Sequence, residues 1–299
     1  MSATVSGTAQ ARADFERALA ELRPKLHRYC ARMTGSVIDG EDVVQEALLK
    51  ASEAIGQAES IAHLEGWLFR ITHNAALDFL RRRARQEAIR SDQDPDMIVD
   101  PQVPTDDRQI ATASLRTFMR LPVAQRSSVI LMDVLGYSLA EVGEVIGGSI
   151  AAVKAALHRG RARLRELAQE PEDLPLPVLA EPERSRLAAY VDRFNARDFD
   201  AIRNMLADEV RLDLVARKQA SGRREVGAYF HNYGLVHDWH LALGLVDGQP
   251  AVLVRDPGDP SGAPLYFVLL EWTGDRIGHI RDFRYARYAT EGAELHALG

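Results

Sequence analysis

Two groups of basic side chains are dense enough to act on a polyanion. Lys154, His158, Arg159, Arg161, Arg163 and Arg165 recur at helical spacing, and Arg81, Arg82, Arg83, Arg85 and Arg90 form a second group. Such groups neutralise phosphates and release the counterions that a nucleic acid condenses. A mixed stripe, Trp67, Arg70, Asn74, Asp78 and Arg81, interleaves an indole with guanidinium and amide groups. That combination suits single-stranded DNA, because bases stack on aromatics at roughly 1–3 kcal/mol each while cations track the backbone. A further stripe, Asp42, Gln45, Glu46, Leu49 and Glu53, sets one leucine among carboxylates and amides, as a polar-rimmed protein interface does. Metal-ligand spacing, a nucleophile motif and a phosphate loop are all missing from the sequence, so no cofactor and no metal is expected.

These side chains need helices to position them. Phe15, Leu19, Leu22, Leu26, Tyr29, Cys30 and Met33 mark one apolar stripe, which Gly35 ends. A second helix is predicted from about Asp39 to Ile55, buried through Val44, Ala47, Leu48, Ala51 and Ile55. A third runs from about His63 to Ile89, buried through Leu64, Leu68, Ile71, Ala75 and Phe79. "SDQDPDMIVDPQVPTDD" then brings six aspartates and three prolines and reads as a linker. Helical periodicity resumes from about Gln109 to Glu170. Within it Ser138 and Glu141 form a capping box, Gly147-Gly148 a turn and Ser149 a second cap. Leu139, Val142 and Ile146 point inward, as do Val153, Leu157 and Leu164. Ala151, Ala152, Lys154, Ala155, His158 and Arg159 point outward. This is a helix–turn–helix, whose second helix presents its N-terminal face to a major groove.

The overall charge of −6 and pI near 5.9 conceal this segregation, and local fields, not net charge, govern binding. Cys30 is the only cysteine, which excludes an intrachain disulfide, fits a reducing cytoplasm and is expected as a buried, inert thiol. No apolar run reaches the ~18 residues of a membrane span, and the N-terminus does not read as a secretory signal.

"LPVAQRSSVILMDVLGYSLAEVGEVIGGSIAAVKAALHRGRARL", residues 121–164, resembles region 4 of sigma-70-type factors of the extracytoplasmic-function group. "DGEDVVQEALLKASEAI" followed by "HLEGWLFRITHNAALDFLRRRAR" resembles region 2 of the same group. The resemblance implies a promoter-specificity subunit that binds core RNA polymerase, at the β′ clamp and β flap, and promoter DNA. By the same resemblance Asp42, Gln45, Glu46, Leu49 and Lys50 bind polymerase. Trp67, Arg70, Asn74, Asp78, Arg81 and Arg82 meet the −10 element, with the loop at about 56–66 holding an unstacked base. Ser149, Ala152, Lys154, His158, Arg159 and Arg161 meet the −35 element. The acidic linker would thread the core enzyme near the RNA path. Two departures stand out. Ala152, Ala155 and Ala156 occupy positions where hydroxyl residues are frequent in the family, and Gly160 interrupts the recognition helix at a cost of about 0.5–1 kcal/mol. The −35 contact is therefore expected to rest mostly on phosphates.

After a Pro-rich break the grammar changes. "RSRLAAYVDRFNARDFDAIRNMLA" predicts two helices, and "EVRLDLVA", "AVLVRD", "PLYFVLLEW" and "RIGHIRDFRYA" predict strands with turns at Asp247-Gly248, Pro257-Gly258 and Thr273-Gly274-Asp275. The order resembles a SnoaL-like domain of the nuclear transport factor 2-like superfamily, an α+β cone with a curved antiparallel sheet. Asp213, Arg255, Tyr266, Glu271, His279 and Asp282 are candidates to line a pocket for a small-molecule ligand. The expected architecture is multidomain: two all-α modules (10–91, region 2; 109–170, region 4) joined by the acidic linker 92–108, then a Pro-rich linker 171–183 and the cone at 184–293. Two functions compete. One is a cytoplasmic, non-enzymatic transcription initiation factor, with no membrane association, whose C-terminal domain modulates it in cis. The other is a small-molecule-binding or enzymatic cone protein with an accessory DNA-binding region. The two basic blocks favour the first.

Overall fold

A computed structural model describes residues 3–55, 63–90, 113–169 and 178–298. The chain divides into two compact units, Met1–Glu172 and Asp173–Gly299. The linker and loop expectations at 56–62, 91–112 and 170–177 lie outside the described residues.

The first unit is helical. Helices α1 (Ala3–Thr34), α2 (Val37–Ile55) and α3 (Leu64–Arg90) pack side by side. Gly35, at φ +79°, ends α1 as the sequence predicts, in a conformation that favours glycine. Gly40 lets α2 approach α1, since a Cβ there would lie 2.6 Å from the Ala31 backbone nitrogen. Next come α4 (Leu115–Met119), α5 (Val123–Val129) with a π turn over Ile130–Val134, α6 (Leu139–Ile146) and α7 (Ile150–Leu167). The predicted capping box is present: Ser138 Oγ accepts from the Glu141 amide, and the Glu141 carboxylate accepts from the Ser138 amide at 2.8 Å. Gly147, at φ +71°, forms the turn, and Ser149 Oγ accepts from the Ala152 amide at 3.2 Å.

One core runs through all of this unit. Leu26, Tyr29, Met33, Val44 and Phe69 share a buried cluster with Phe118, Ile130, Val142, Val153, Leu157 and Leu164. Cys30 lies in it, wholly buried, and burial pushes its thiol well above the usual range, as the inert reading expects.

The second unit is α+β. Helices α8 (Glu181–Asn195), α9 (Phe199–Asn204) and α10 (Arg223–Gly234) accompany a seven-stranded sheet of order β2-β1-β6-β5-β4-β3-β7. Its strands are β1 (Leu206–Leu214), β2 (Lys218–Ser221), β3 (His240–Val246), β4 (Gln249–Arg255), β5 (Pro264–Thr273), β6 (Arg276–Asp282) and β7 (Leu295–Ala297). The sheet is mixed, not antiparallel as expected: β1 and β6 run parallel, because α10 carries the chain from the β1–β2 hairpin to β3 and the β3–β6 meander then ends beside β1. Asp247 and Gly248, at φ +49° and +80°, close the two-residue turn between β3 and β4. Phe194, Phe230, Tyr233 and Trp239 meet edge to face beneath the sheet.

Candidate nucleic-acid interface

On α2 the inward stripe (Val43, Val44, Ala47, Ala51) is buried, and helical periodicity turns Asp42, Gln45, Leu49 and Lys50 outward. Leu49 is 61% exposed, far more than an isolated core-forming residue would be. Glu46, half-buried, accepts from Lys50 Nζ at 2.7 Å and from Arg82 Nη2 at 2.7 Å. Those two cations hold its carboxyl below the usual range. Arg81 pairs with Asp78 at 3.0 Å. The residues predicted for polymerase and those predicted for −10 DNA are thus joined by ion pairs between α2 and α3.

On α3, Arg70 and Asn74 are exposed and Trp67 is half-buried, packed against the small cluster of Phe15, Leu19, Ala51 and Leu68. Part of the indole is therefore core and part is surface. Trp67 and Arg70 open onto a cavity of 660 Å³ whose other wall is Tyr137, Glu141, Glu144 and Val145 of the helix–turn–helix. Contacts beside it are specific. Tyr137 Oη donates to Glu65 Oε1 at 2.6 Å, and Glu65 also pairs with Lys25. The Lys25 ammonium sits 4.4 Å from the Tyr137 ring centroid, and Phe69 lies 5.1 Å from the same ring. Burial and the Glu65 carboxylate push the Tyr137 phenol far up. A second junction forms where buried Arg126 of α5 donates to the Met33 carbonyl at the end of α1 at 2.6 Å, and to the Leu121 and Met119 carbonyls at 2.9 and 3.0 Å. A cation there is favoured by the helix dipole, while desolvation lowers its pKa to about 10. None of these contacts was legible in the sequence, because pairs such as 65 with 137 and 33 with 126 leave no periodic trace.

On α7, Ala151, Ala152, Lys154, Ala155, His158 and Arg159 are exposed as predicted. Two −35 candidates also have partners within the unit. Arg161 donates Nε to Asp133 Oδ2 at 2.9 Å, with a second bond from Nη2, and Asp133 is buried in the π turn. The bidentate pair holds the Arg161 guanidinium against the π turn. Ser149 spends its hydroxyl oxygen capping α7. Gly160 also gains a reason: a Cβ there would lie 2.8 Å from Val129 Cγ2 and 3.2 Å from Gln125 Cβ, so the glycine lets α7 cross α5 closely. Sequence reading missed Ile150, which is 50% exposed at the first position of α7. It stands three residues before Val153, so periodicity assigns it to the core, yet the first turn projects beyond that core.

The six pocket candidates do not meet in one place. Asp282 and Tyr266 lie on the helix-covered face, where Asp282 Oδ2 accepts from Tyr229 and Tyr233 at 2.8 Å each and Tyr233 contacts Tyr266 at 3.1 Å. Full burial raises the Asp282 pKa. Asp213, Glu271 and His279 meet on the opposite face, with His279 Nε2 2.9 Å from Asp213 and Nδ1 3.3 Å from Glu271. Asp213 chiefly holds the His279 pKa above its ordinary value. Strand alternation separates His279 from Asp282. Arg255 ends β4, with its Nε buried and unpartnered.

Residues 19–86 match the Sigma-70 region 2 family, and residues 115–164 match Sigma-70, region 4. The extracytoplasmic-function (ECF) RNA polymerase sigma factor SigG of Mycobacterium tuberculosis is 28% identical over 302 residues, spanning 91% of this chain and 81% of its own length. The ECF RNA polymerase sigma factor SigM of the same species is 38% identical over 144 residues, 48% of this chain and 71% of SigM. Among solved structures, that of M. tuberculosis ECF sigma factor SigJ matches 89% of this chain and 95% of its own at 22% identity, with a TM-score of 0.35.

Proposed function

The chain belongs to the extracytoplasmic-function group of sigma-70 factors, subunits that bind core RNA polymerase and direct initiation at promoter DNA, and on that premise we propose which of its faces meets which partner. Asp42, Gln45, Glu46, Leu49 and Lys50 dock on the polymerase β′ clamp. The observation that carries this is Leu49, 61% exposed within a polar stripe on a helix whose other face is buried. Trp67, Arg70, Asn74, Asp78, Arg81 and Arg82 face the −10 strand, and Lys154, His158 and Arg159 the −35 phosphates. The functional segments are 10–91 and 109–170, joined by the acidic linker 92–108, with region 4 also meeting the β flap. The factor works in the cytoplasm, where its polymerase is.

Residues 184–293, beyond the Pro-rich linker 171–183, act as a non-catalytic SnoaL-like module that modulates initiation in cis. A second reading, that this module binds a small molecule, draws on Tyr190, whose buried hydroxyl has no hydrogen-bond partner and whose phenol is raised first by burial and then by Asp282.

The experiment is co-purification of the full chain with core RNA polymerase. Leu49→Asp is expected to abolish it while circular dichroism stays unchanged; undiminished binding refutes the assigned face. In vitro transcription with a chain ending near Glu170 separates restraint, where activity rises, from assistance, where it falls. Equal activity removes the cis role.

A further inference from the structure

The residue at the tip of the recognition helix has no role in the core and none in the phosphate contacts. Ser149 caps α7, and Ile150 follows it half exposed, while Val153, Leu157 and Leu164 carry the packing. At 100° per residue, Ile150 stands at the edge of the packing stripe, exposed because the first turn projects beyond the core, and Ala151, Ala155 and Arg159 form the outer row beside it. The first turns of the helix therefore offer aliphatic groups, with cations flanking them farther along. The serine oxygen nearest to them already bonds the Ala152 amide.

A major groove displays one aliphatic group, the C5 methyl of thymine; every other base-edge feature there is a donor or acceptor. A helix tip of isoleucine and alanine can discriminate only that methyl, and the N-terminal residues of a recognition helix are those that reach base edges. We propose that this chain reads its −35 element through thymine methyl groups, with Ile150 as the principal reading side chain. This rests on the assignment of α7 to the −35 element. Lys154 and Arg159 hold the helix in the groove by charge on any sequence. Ile150 adds what charge lacks, a preference for particular positions. Burying one methyl is worth about 0.8 kcal/mol, which at 1.4 kcal/mol per tenfold corresponds to about fourfold in affinity.

The test uses holoenzyme reconstituted from the full chain and core polymerase. A −35 duplex is selected from a randomised pool, and each thymine is then replaced singly by deoxyuracil, which removes the methyl and nothing else. Wild-type holoenzyme is expected to lose about fourfold at one or two −35 positions. Ile150→Ser should bind thymine and uracil equally at those positions, and Ile150→Val should keep most of the difference. The −10 thymines should respond identically in all three. Uracil without effect anywhere in the −35 element overturns the proposal, as does discrimination that survives in Ile150→Ser. If Ile150→Ser instead weakens core binding while discrimination persists, the side chain faces polymerase and the proposal falls. Selection that yields no −35 sequence at all, with transcription intact, removes the assignment of α7 itself.

Discussion

Arg159 and Arg161 sit two residues apart in one basic run, yet their surroundings give them different work. Arg159 is exposed, so Arg159→Ala should weaken binding to every DNA sequence and reduce the salt slope by about 0.9 per phosphate lost. Arg161→Ala should leave that slope unchanged and lower the unfolding free energy by roughly 1–3 kcal/mol, since Asp133 would stay buried without its partner. Salt titrations of affinity beside denaturant melts of the two variants check the pair. His73 makes a pH prediction. Its imidazole is buried 2.7 Å from the Tyr29 hydroxyl, and desolvation lowers its pKa to about 4. A depressed folded value means the stabilisation is complete above about 6.5 and is lost as pH falls through about 4. The first unit should thus lose on the order of 3 kcal/mol over that interval, and His73→Gln should flatten the loss.

At the scale of elements, Gly160 shows how a local rule misleads. Helix propensity says that alanine at this position stabilises by about 0.5–1 kcal/mol. The 2.8 Å approach to Val129 says the opposite, and close packing outweighs propensity in a core. Gly160→Ala should lower the melting temperature, and adding Val129→Ala should recover part of it; a rise in the single variant would contradict the crossing geometry. The helices themselves were legible in the sequence. The stripes on α1, α2 and α3, the capping box at Ser138 and the glycine stop at Gly35 each follow from short-range chemistry. Strand β3 was not anticipated, because Gly244 interrupts its pattern, and that glycine exists for the Leu253 side chain across the ladder. The parallel pairing of β1 with β6 and the division of the pocket candidates between two faces were also hidden. Both depend on where distant strands meet, which alternation within one strand does not encode. The pairing of Arg161 was hidden for a related reason: its partner Asp133 is 28 residues earlier, in another helix.

At the scale of the molecule, the regions that match sigma-70 regions 2 and 4 share one unit and one core. The −10 and −35 elements lie about 25 base pairs apart, roughly 85 Å at 3.4 Å per pair. Helix α3, the element proposed to face the −10 strand, is only about 40 Å long at 1.5 Å per residue. Trp67 faces the same cavity as Glu141 and Glu144 of α6, so, with α3 and α7 reading the −10 and −35 elements as proposed, the two regions would have to part before both reach DNA. Tyr137→Phe removes the 2.6 Å bond to Glu65 and keeps the ring against Phe69. It should raise apparent affinity for core polymerase by about tenfold, since a hydrogen bond to a charged group contributes about 1.5 kcal/mol. Fluorescence anisotropy against labelled core measures the change, and lower affinity would mean that Tyr137 helps binding instead of opposing it. The shared core has a last consequence, one of dosage. When only a fraction of molecules is competent, apparent dissociation constants rise by the inverse of that fraction. Competition among sigma factors for a limited pool of polymerase would then depend on how rarely this one opens. A tenfold wider opening would act on transcription as a tenfold larger supply of the protein.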